Sequence, residues 1–280
     1  MTNGLLEHTR NLYTTWRMYR RNLSGRKFEP ETPYMEQLCN PGDTCLHLGA
    51  SDGRHSYYLS HIVGPVGKIY AFEPSRYSFA IMCRLLKWHR IENVSPHNYA
   101  IGEEDGETYL NVPRKKSGHL GRAYAVIGET ARGSEEILAM ANDTEFDRQQ
   151  TPVICLDSIV SRFDLDKLDF IRCDIEGAEC LMIAGGKKTI ERFFPTFLIE
   201  IHPFSLKQNF HQEPDGVLKY FLNLGYACWR LSDDDSELIR VDELDAKRRW
   251  RDYFLVHPSR SAKLPPGEFA EQLNSALRPA

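Results

Sequence analysis

Two short segments and the distance between them restrict the fold of this chain more than any other feature. Residues 44–53 read TCLHLGASDG, an apolar run that ends in a glycine-bounded turn, and residues 68–74 read KIYAFEP, an apolar run that ends in an acid. The stretch 55–63 between them has a helical pattern. Strand, glycine turn, helix and acid-terminated strand form the first half of a nucleotide-type binding fold. Glycines let backbone approach a ligand, and the carboxylate of Glu73 is then positioned to accept both hydroxyls of a ribose. The turn is not GxGxxG, which argues against a dinucleotide.

Charge and cysteine usage exclude several classes of protein. The formal net charge of −4 gives no overall attraction to nucleic acid. The seven cysteines are scattered singly without CxxC pairs, which favours a reducing compartment over a disulfide framework or a zinc site. The N-terminal residues lack the apolar core of a signal peptide, and no apolar run approaches the length of a membrane span. We therefore expect a soluble, cytoplasmic protein with neither a nucleic acid nor a membrane as its partner.

Strand and helix patterns alternate along most of the chain. Strands are predicted at 44–48, 68–72, 94–101, 152–156, 168–173 and 196–201, and a closing antiparallel pair at 228–231 and 253–257. Helices are predicted at 55–63, 75–90, 177–194 and 204–224, the last one interrupted at Pro214, and Asp157 is predicted to cap a further short helix. Such alternation predicts an α/β fold with a mostly parallel sheet and helices on both faces.

Three regions depart from this alternation. Residues 1–35 are predicted to form a helical extension and linker, with an apolar helix face made of Leu12, Trp16, Tyr19 and Leu23. The face is expected to dock on the main domain (36–260); a lid, an acidic-substrate clamp and a homo-oligomer contact are the alternatives. Residues 107–150 read as an inserted hairpin with a long loop, and residues 261–280 as a tail or helix. The insertion carries basic side chains that suit either an anionic group or plain solvation: Lys115, Lys116, His119 and Arg122.

Polar residues follow four of the predicted strands, where ligands bind in open parallel sheets. The strand ends read GASDG at 49–53, Glu73 after the second strand, DIEG at 174–177 and EIH at 200–202. Alternate residues of a strand share a face, so Glu200 and His202 are expected to point the same way. Glu200 lies within the apolar run FLIEI, where a carboxylate needs a partner. Glu176 instead has a structural alternative, because acids are favourable at a helix N-terminus, and His202 could simply cap the end of the sheet.

The motifs GASDG, FEP, LDS, DIEGAE and IEIH occur in an order that resembles the FkbM family of S-adenosylmethionine-dependent methyltransferases. The resemblance covers about residues 44–205 and is strongest at 168–186. It implies a Rossmann-like class I methyltransferase fold with a seven-stranded sheet, and O-methylation as the usual activity. It also implies a set of residues that contact the cofactor: Gly49, Ala50, Ser51, Asp52 and Gly53 around the methionine part, Glu73 with Pro74 at the ribose, Tyr99 and Ala100 beside the adenine, and Asp174 next to the sulfonium. His47 stands where the family usually has an acid that organises the turn.

Methyl transfer to a hydroxyl requires alignment of the acceptor and removal of its proton. A side-chain base removes that proton directly, or a divalent cation lowers its pKa. Asp174, Glu200 and His202 are the candidates for either route, with Asp174 and Glu200 as the ligands for Mg²⁺ or Mn²⁺. We therefore predict that these three side chains form one cluster.

The leading hypothesis is an O-methyltransferase that acts on a hydroxyl of a small molecule such as a sugar or a secondary metabolite. One alternative is a nicotinamide-dependent oxidoreductase, although the chain lacks GxGxxG and Glu73 follows Gly49 at a slightly long distance. A second alternative is a non-catalytic binding module, which His47 favours and the acids at 73, 174 and 200 disfavour. A nucleic-acid or protein methyltransferase is a third option, but the chain has no asparagine-proline-aromatic motif.

Overall fold

A computed structural model describes residues 2–24, 29–115, 126–128, 144–245 and 251–276. Its strands are β1 (Thr44–Leu48), β2 (Lys68–Phe72), β3 (Val94–His97), β4 (Ala100–Gly102), β5 (Gly106–Lys115), β6 (Val126–Ile127), β7 (Thr144–Cys155), β8 (Phe170–Cys173), β9 (Thr196–Ile201), β10 (Ala227–Leu231), β11 (Leu238–Val241) and β12 (Arg251–Val256). Its helices are α1 (Thr2–Leu23), α2 (Arg54–Val63), α3 (Arg76–His89), α4 (Leu156–Arg162), α5 (Glu179–Ala184), α6 (Lys187–Phe193), α7 (Pro203–Asn209), α8 (Asp215–Asn223) and α9 (Glu268–Ala276). Two 3₁₀ helices cover Thr32–Gln37 and Pro258–Lys263.

The main sheet has eight strands in the order β11-β10-β12-β9-β8-β1-β2-β3. Strands β9, β8, β1, β2 and β3 pair in parallel, and β12 joins β9 antiparallel. The predicted α/β class with a mostly parallel sheet is confirmed, but the predicted count of seven strands is wrong. The additional strand is β11, a short edge strand with two exposed residues that pairs only with β10 among the described strands.

Helices cover both faces of this sheet. Side chains alternate along each buried strand, so each strand contributes to the core on both faces. Leu46 and Leu48 of β1 belong to one core cluster, which includes buried side chains of α4, α5, α6, α7 and α8. Cys45 belongs to the other cluster, which includes side chains of α2, α3 and α9. Helix α9 lies within the predicted C-terminal tail, and its Phe269 is fully buried near Trp229 and Phe254.

A second sheet of four strands stands beside the first, in the order β4-β7-β5-β6. The predicted strand 94–101 is therefore wrong as a single element, since β3 belongs to the main sheet and β4 to the small one. The chain turns between them at Asn98, whose side-chain amide donates to the backbone oxygens of Glu73 and Pro74. The stretch predicted as a hairpin is framed by β5 and β7, which pair antiparallel from Gly106 to Lys115.

The predicted helix 177–194 is two helices, α5 and α6, that are separated at Gly185 and Gly186. A Cβ at Gly185 would lie 2.5 Å from the backbone oxygen of Gly102, so the small sheet approaches too closely for a side chain. Asp157 is not the N-cap of α4, which is Cys155. Its carboxylate instead accepts hydrogen bonds from the backbone N–H (2.8 Å) and the hydroxyl (2.7 Å) of Thr189, in the first turn of α6.

Helix α1 docks on α3 through a face that differs from the predicted one. Trp16 is 50% exposed and Leu23 is also exposed, whereas Met18 is 9% exposed and packs with Ile81 and Leu85. Polar side chains add to the contact: the side-chain amide of Asn11 donates to the backbone oxygen of Tyr77 at 3.1 Å. Tyr19 of the predicted docking face still packs against α3, whereas Trp16 and Leu23 point outward. Self-association through the outward side chains stays a prediction. Among the helices of the described segments, none combines the length and the hydropathy needed to span a bilayer.

Candidate functional site

A cavity of about 440 Å³ opens at the carboxyl ends of β1, β2, β8 and β9. It is lined from three directions: the main sheet, the small sheet and the segment that follows α1. The lining residues are Glu29, Pro30, Glu31, Gly49, Ser51, Arg54, His55, Glu73, Pro74, Tyr99, Ala100, Ile101, Ile127, Asp174, Ile175, Glu176, Ala178, Glu200, His202, Leu231, Asp235, Arg251 and Asp252. The position agrees with the expectation that ligands bind beyond the carboxyl ends of parallel strands.

The turn after β1 is held close to the end of β8. Gly49 has φ +77°, and a Cβ on it would lie 1.6 Å from the backbone oxygen of Asp174, so no other residue fits there. Gly53 also has a positive φ, and a Cβ on it would meet the Met82 side chain at 2.7 Å. The two glycines therefore set the shape of the turn at the base of the cavity.

Glu73 lies at the end of β2 with its carboxylate against the turn. One oxygen accepts from the Ser51 N–H at 2.7 Å, and the other accepts from the Ser75 N–H at 2.8 Å. Each carboxylate oxygen has two lone pairs, so each oxygen keeps an acceptor position. Burial raises the pKa of Glu73 to about 7, although the two N–H donors oppose the shift.

Asp174, Glu200 and His202 converge on one wall of the cavity. One ligand-type atom from each of the three lies within 4.8 Å of the others. His202 Nε2 is 3.1 Å from Glu200 Oε1 and 3.8 Å from Glu176 Oε2. The cluster expected from the strand ends is therefore present as a geometric arrangement.

A buried arginine on β8 carries the positive charge beneath this cluster. Arg172 is 1% exposed, and its Nη1 lies 2.9 Å from Asp252 Oδ1. Its Nη2 lies 3.6 Å from both Asp174 Oδ2 and Glu200 Oε2. Three carboxylates thus share one fixed guanidinium, which is a partner of the kind that a buried carboxylate requires.

Burial and the neighbouring charges shift the pKa values of Glu200 and His202. Burial raises the pKa of Glu200 well above its ordinary value, and the nearby Asp174 and Asp252 carboxylates raise it further. Burial alone would lower the pKa of His202, but Glu200 and Glu176 outweigh it and raise this pKa to about 10. The raised pKa of His202 favours its protonated form at neutral pH, and the pair holds this proton between Glu200 Oε1 and His202 Nε2, which are 3.1 Å apart.

The opposite wall comes from the segment between α1 and β1. His55 Nε2 lies 2.7 Å from Glu29 Oε2 and 4.0 Å from Glu31 Oε1. Arg54 Nη1 lies 3.0 Å from the other oxygen of Glu29. Burial, followed by the charge of Asp252, raises the pKa of Glu31 to about 10. This wall therefore brings together two carboxyl groups and two basic side chains.

A model of the methyltransferase FkbM domain matches residues 47–228, which is more than half of the chain. The chain belongs to the FkbM methyltransferase family. The resemblance stated from the sequence motifs is thus confirmed, and with it the fold of an S-adenosylmethionine-dependent methyltransferase. The match covers β1 to the start of β10 and includes the turn, Glu73 and the cluster at Asp174.

The chain also has weak similarity to solved structures of methyltransferases. A methyltransferase FkbM from Methylobacillus flagellatus KT has 16% identity and a TM-score of 0.46, over 81% of this chain and 50% of that one. A SAM-dependent O-methyltransferase from Thermotoga maritima has 13% identity and a TM-score of 0.41, over 87% and 68%. The chain spans about half the length of the first of these. A search of curated proteins finds no match. Because both TM-scores are below 0.5, the family assignment rests on the sequence match.

Nine of the thirteen predicted site residues line the cavity: Gly49, Ser51, Glu73, Pro74, Tyr99, Ala100, Asp174, Glu200 and His202. The other four, which do not line it, are His47, Ala50, Asp52 and Gly53. Asp52 is fully buried and pairs with Arg54 at 3.3 Å. Among the basic residues of the insertion, Lys116, His119 and Arg122 lie outside the described residues, as does the side chain of Lys115.

His47 lies beneath the turn rather than beside the cavity. Its Nδ1 is 2.7 Å from the hydroxyl of Ser56 on α2. Burial, together with the neighbouring His55, lowers the pKa of His47 well below its ordinary value, so the ring is neutral. In this chain the position therefore links β1 to α2 by a neutral contact, and it supplies no charge to the turn.

The sequence analysis did not identify several charged residues that lie in the cavity wall or beneath it. Arg172 interrupts an apolar strand just as Glu200 does, so the run DFIRCD carried a signal for a buried ion pair. Asp252 carried none, because it meets Glu200 only through the antiparallel pairing of β12 with β9. Glu29 and Glu31 lie within the predicted extension and linker (1–35), and only the tertiary fold brings them to His55.

Proposed function

We propose that the chain transfers a methyl group from S-adenosylmethionine to a hydroxyl of a small polar molecule. The observation that carries the proposal is the convergence of the Glu73 turn and the Glu200–His202 pair in one cavity. A hydroxyl acceptor needs a base, and burial makes the Glu200 carboxylate a stronger base than an exposed one.

The donor set suits the cofactor of this family. Glu73 offers two acceptor positions to a pair of vicinal hydroxyls, as argued above from its two backbone contacts. Tyr99, Ala100, Ile101 and Ile127 give one end of the cavity an apolar lining that suits a base ring. Bound S-adenosylmethionine supplies an electrophilic methyl group, so the protein has only to align the acceptor and remove its proton.

Glu200 is the proposed base, and His202 and Arg172 position it. His202, protonated and 3.1 Å away, holds one oxygen of Glu200. Arg172 contacts the other oxygen at 3.6 Å and does the same for Asp174. Because a fixed guanidinium already lies beside these two carboxylates, a divalent cation would meet positive charge there, and the arrangement favours a base over the Mg²⁺ or Mn²⁺ site expected at Asp174 and Glu200.

The remaining part of the cavity indicates a polar acceptor. The side chains away from the Glu73 turn are mainly charged, among them Glu31, Arg251 and Asp252. Such walls suit a hydroxylated molecule, because apolar surface would leave their polar groups without partners. The family assignment disfavours the nicotinamide-dependent oxidoreductase, and the buried cluster disfavours a non-catalytic module, since a scaffold does not need three carboxylates around one arginine.

The test is turnover of S-adenosylmethionine with a panel of small polyhydroxylated acceptors, with products identified by mass spectrometry and NMR. We expect a methyl ether, and we expect E200Q to lower kcat by about 10²–10⁴-fold, as removal of a general base does. The matched control is E237Q, which replaces an exposed acid in the turn between β10 and β11. A methyl group found on nitrogen or carbon, or full kcat in E200Q, would contradict the proposal.

A further inference from the structure

Helix α1 exposes apolar side chains on its outward face, although its opposite face is docked on α3. Leu12, Trp16 and Leu23 are all exposed. These positions are four and seven residues apart, so they lie along one line of the helix. Tyr13 is 59% exposed and stacks beside this line, with its ring centre 6.2 Å from that of Trp16. The helix therefore presents a continuous apolar stripe to solvent.

Arginines lie beside the apolar stripe on the same outward face. Arg10, Arg17 and Arg21 are exposed, and their spacing of seven and four residues places them along a second line of the helix. Arg20 lies between the two lines, with its guanidinium carbon 5.8 Å from the centre of the Trp16 ring. An apolar stripe and a basic stripe thus run side by side along α1.

The charge of this face is opposite to that of the whole protein. Residues 8–23 contain four arginines and no acid, whereas the chain has a formal net charge of −4. The end of α3 adds the exposed Lys87 and Trp88, and the ring of Trp88 meets that of Tyr19 edge-on at 5.7 Å. The exposed side chains of residues 8–23, together with Lys87 and Trp88, form the α1 surface. It is complementary to a partner that is both anionic and apolar.

We propose that the α1 surface binds a bilayer that contains anionic lipids. Tryptophan and tyrosine are enriched at the level of the lipid headgroups, and helices that lie in this layer combine an apolar stripe with a basic one. In the bound state Leu12, Trp16 and Leu23 enter the headgroup layer, and Arg17 and Arg20 contact lipid phosphates. The helix stays docked on α3 and lies along the membrane surface. This inference does not depend on the proposed function.

Two other occupants of the α1 surface are less complementary to it. Antiparallel pairing with a second copy about Trp16 would bring Arg17 and Arg20 of both copies together, and the α1 surface holds no acid to neutralise them. Single-stranded nucleic acid binds arginines and aromatic rings, but it offers little apolar surface to Leu12 and Leu23. A bilayer satisfies the arginines and the leucines together.

The proposal departs from the expectation that the chain has no membrane partner. That expectation came from the lack of apolar runs long enough to span a bilayer, and a helix that lies on the surface needs no such run. The exposed stripe is a consequence of the docking of α1, in which Met18 rather than Trp16 packs against Ile81 and Leu85.

The experiment measures co-sedimentation of the full chain with two kinds of vesicle, at low and at physiological ionic strength. One kind is pure phosphatidylcholine, and the other contains about one third phosphatidylglycerol. The wild type is compared with two double variants, R17Q with R20Q and W16A with L23A. The matched controls are R240Q and V66A, which alter an exposed arginine on β11 and an exposed apolar residue before β2. Thermal unfolding verifies that each variant is folded, and sedimentation velocity gives its oligomeric state.

We expect the wild type to bind the anionic vesicles at least about tenfold more tightly than the neutral ones, and less tightly at higher ionic strength. The R17Q/R20Q variant should lose at least about tenfold in affinity, because each basic side chain near an anionic surface contributes about fivefold. The W16A/L23A variant should lose at least about fivefold, and the controls should bind as the wild type does.

Three results would overturn the proposal. The first is absence of wild-type binding to the anionic vesicles, including the case in which the chain binds single-stranded RNA in their place. The second is wild-type affinity in both double variants. The third is a wild-type dimer that the W16A/L23A changes dissociate, because the α1 surface would then be occupied by a second copy.

Discussion

Replacement of Arg172 by methionine should destabilise the protein strongly and in a pH-dependent way. The guanidinium is 1% exposed and is the shared partner of Asp252 at 2.9 Å and of Asp174 and Glu200 at 3.6 Å. Methionine fills similar space without charge, so three carboxylates lose their countercharge. Removing one partner of a buried ion pair costs about 3–5 kcal/mol of unfolding free energy, and we expect R172M to lie in this range at pH 8.

The sign of the pH dependence follows from linkage. Loss of the guanidinium raises the folded-state pKa values of the three carboxyl groups, so folded R172M binds more protons than the folded wild type. The free energy of unfolding of R172M therefore falls more steeply with rising pH, and its deficit is larger at pH 8 than at pH 5.

Urea denaturation followed by tryptophan fluorescence measures both quantities. R172K keeps the charge and should lose less stability than R172M, and R17M, at an exposed position on α1, is the matched control. A deficit below about 1 kcal/mol at pH 8, which is within the range for surface changes or weak pairs, would refute the reasoning. An equal deficit at the two pH values would also refute it.

Two further predictions concern stability. Burial raises the pKa of Glu179 from 4.5 to about 7, which corresponds to about 3 kcal/mol of unfolding free energy. The wild type should lose that stability as the pH rises from 4.5 to 7, and chemical denaturation should show a smaller loss for E179Q. Equal pH profiles of the two proteins would contradict this prediction. On α1, M18A removes a buried contact to Ile81 and Leu85 and should lower the free energy of unfolding by about 2 kcal/mol. W16A, at an exposed position, should change it by no more than about 0.5 kcal/mol. Thermal or urea unfolding measures both changes, and the reverse order would favour the face predicted from the sequence.

Local patterns predicted the elements that carry the cofactor turn. Strands β1 and β2 appear at their predicted bounds, because each is a short apolar run that ends at a turn or at Pro74. Glu73 and Gly49 follow from the same runs. Asp174, Glu200 and His202 could be brought together because the ends of neighbouring parallel strands meet at one edge of the sheet.

Features that depend on distant contacts were not predictable in this way. Apolar periodicity selected the wrong face of α1, since Asn11 bonds to α3 through its amide and the aromatic Trp16 stays outside. The pair of glycines at 185 and 186 breaks a helix only because the small sheet approaches Gly185. Glu31 and Asp252 reach the site through tertiary packing and strand pairing, and neither has a local pattern that marks it.

The most direct test of the account is calorimetric titration of S-adenosylhomocysteine into the wild type and E73Q at pH 8 and pH 6. Because the pKa of Glu73 is about 7, we predict that wild-type affinity falls by up to about tenfold between pH 8 and pH 6 as the carboxylate takes up a proton. E73Q should bind more weakly at pH 8 by about 1.5–3 kcal/mol, with a smaller dependence on pH, while E237Q matches the wild type. No binding in the wild type, or equal affinities of E73Q and the wild type at pH 8, would contradict the assignment of this cavity to the cofactor.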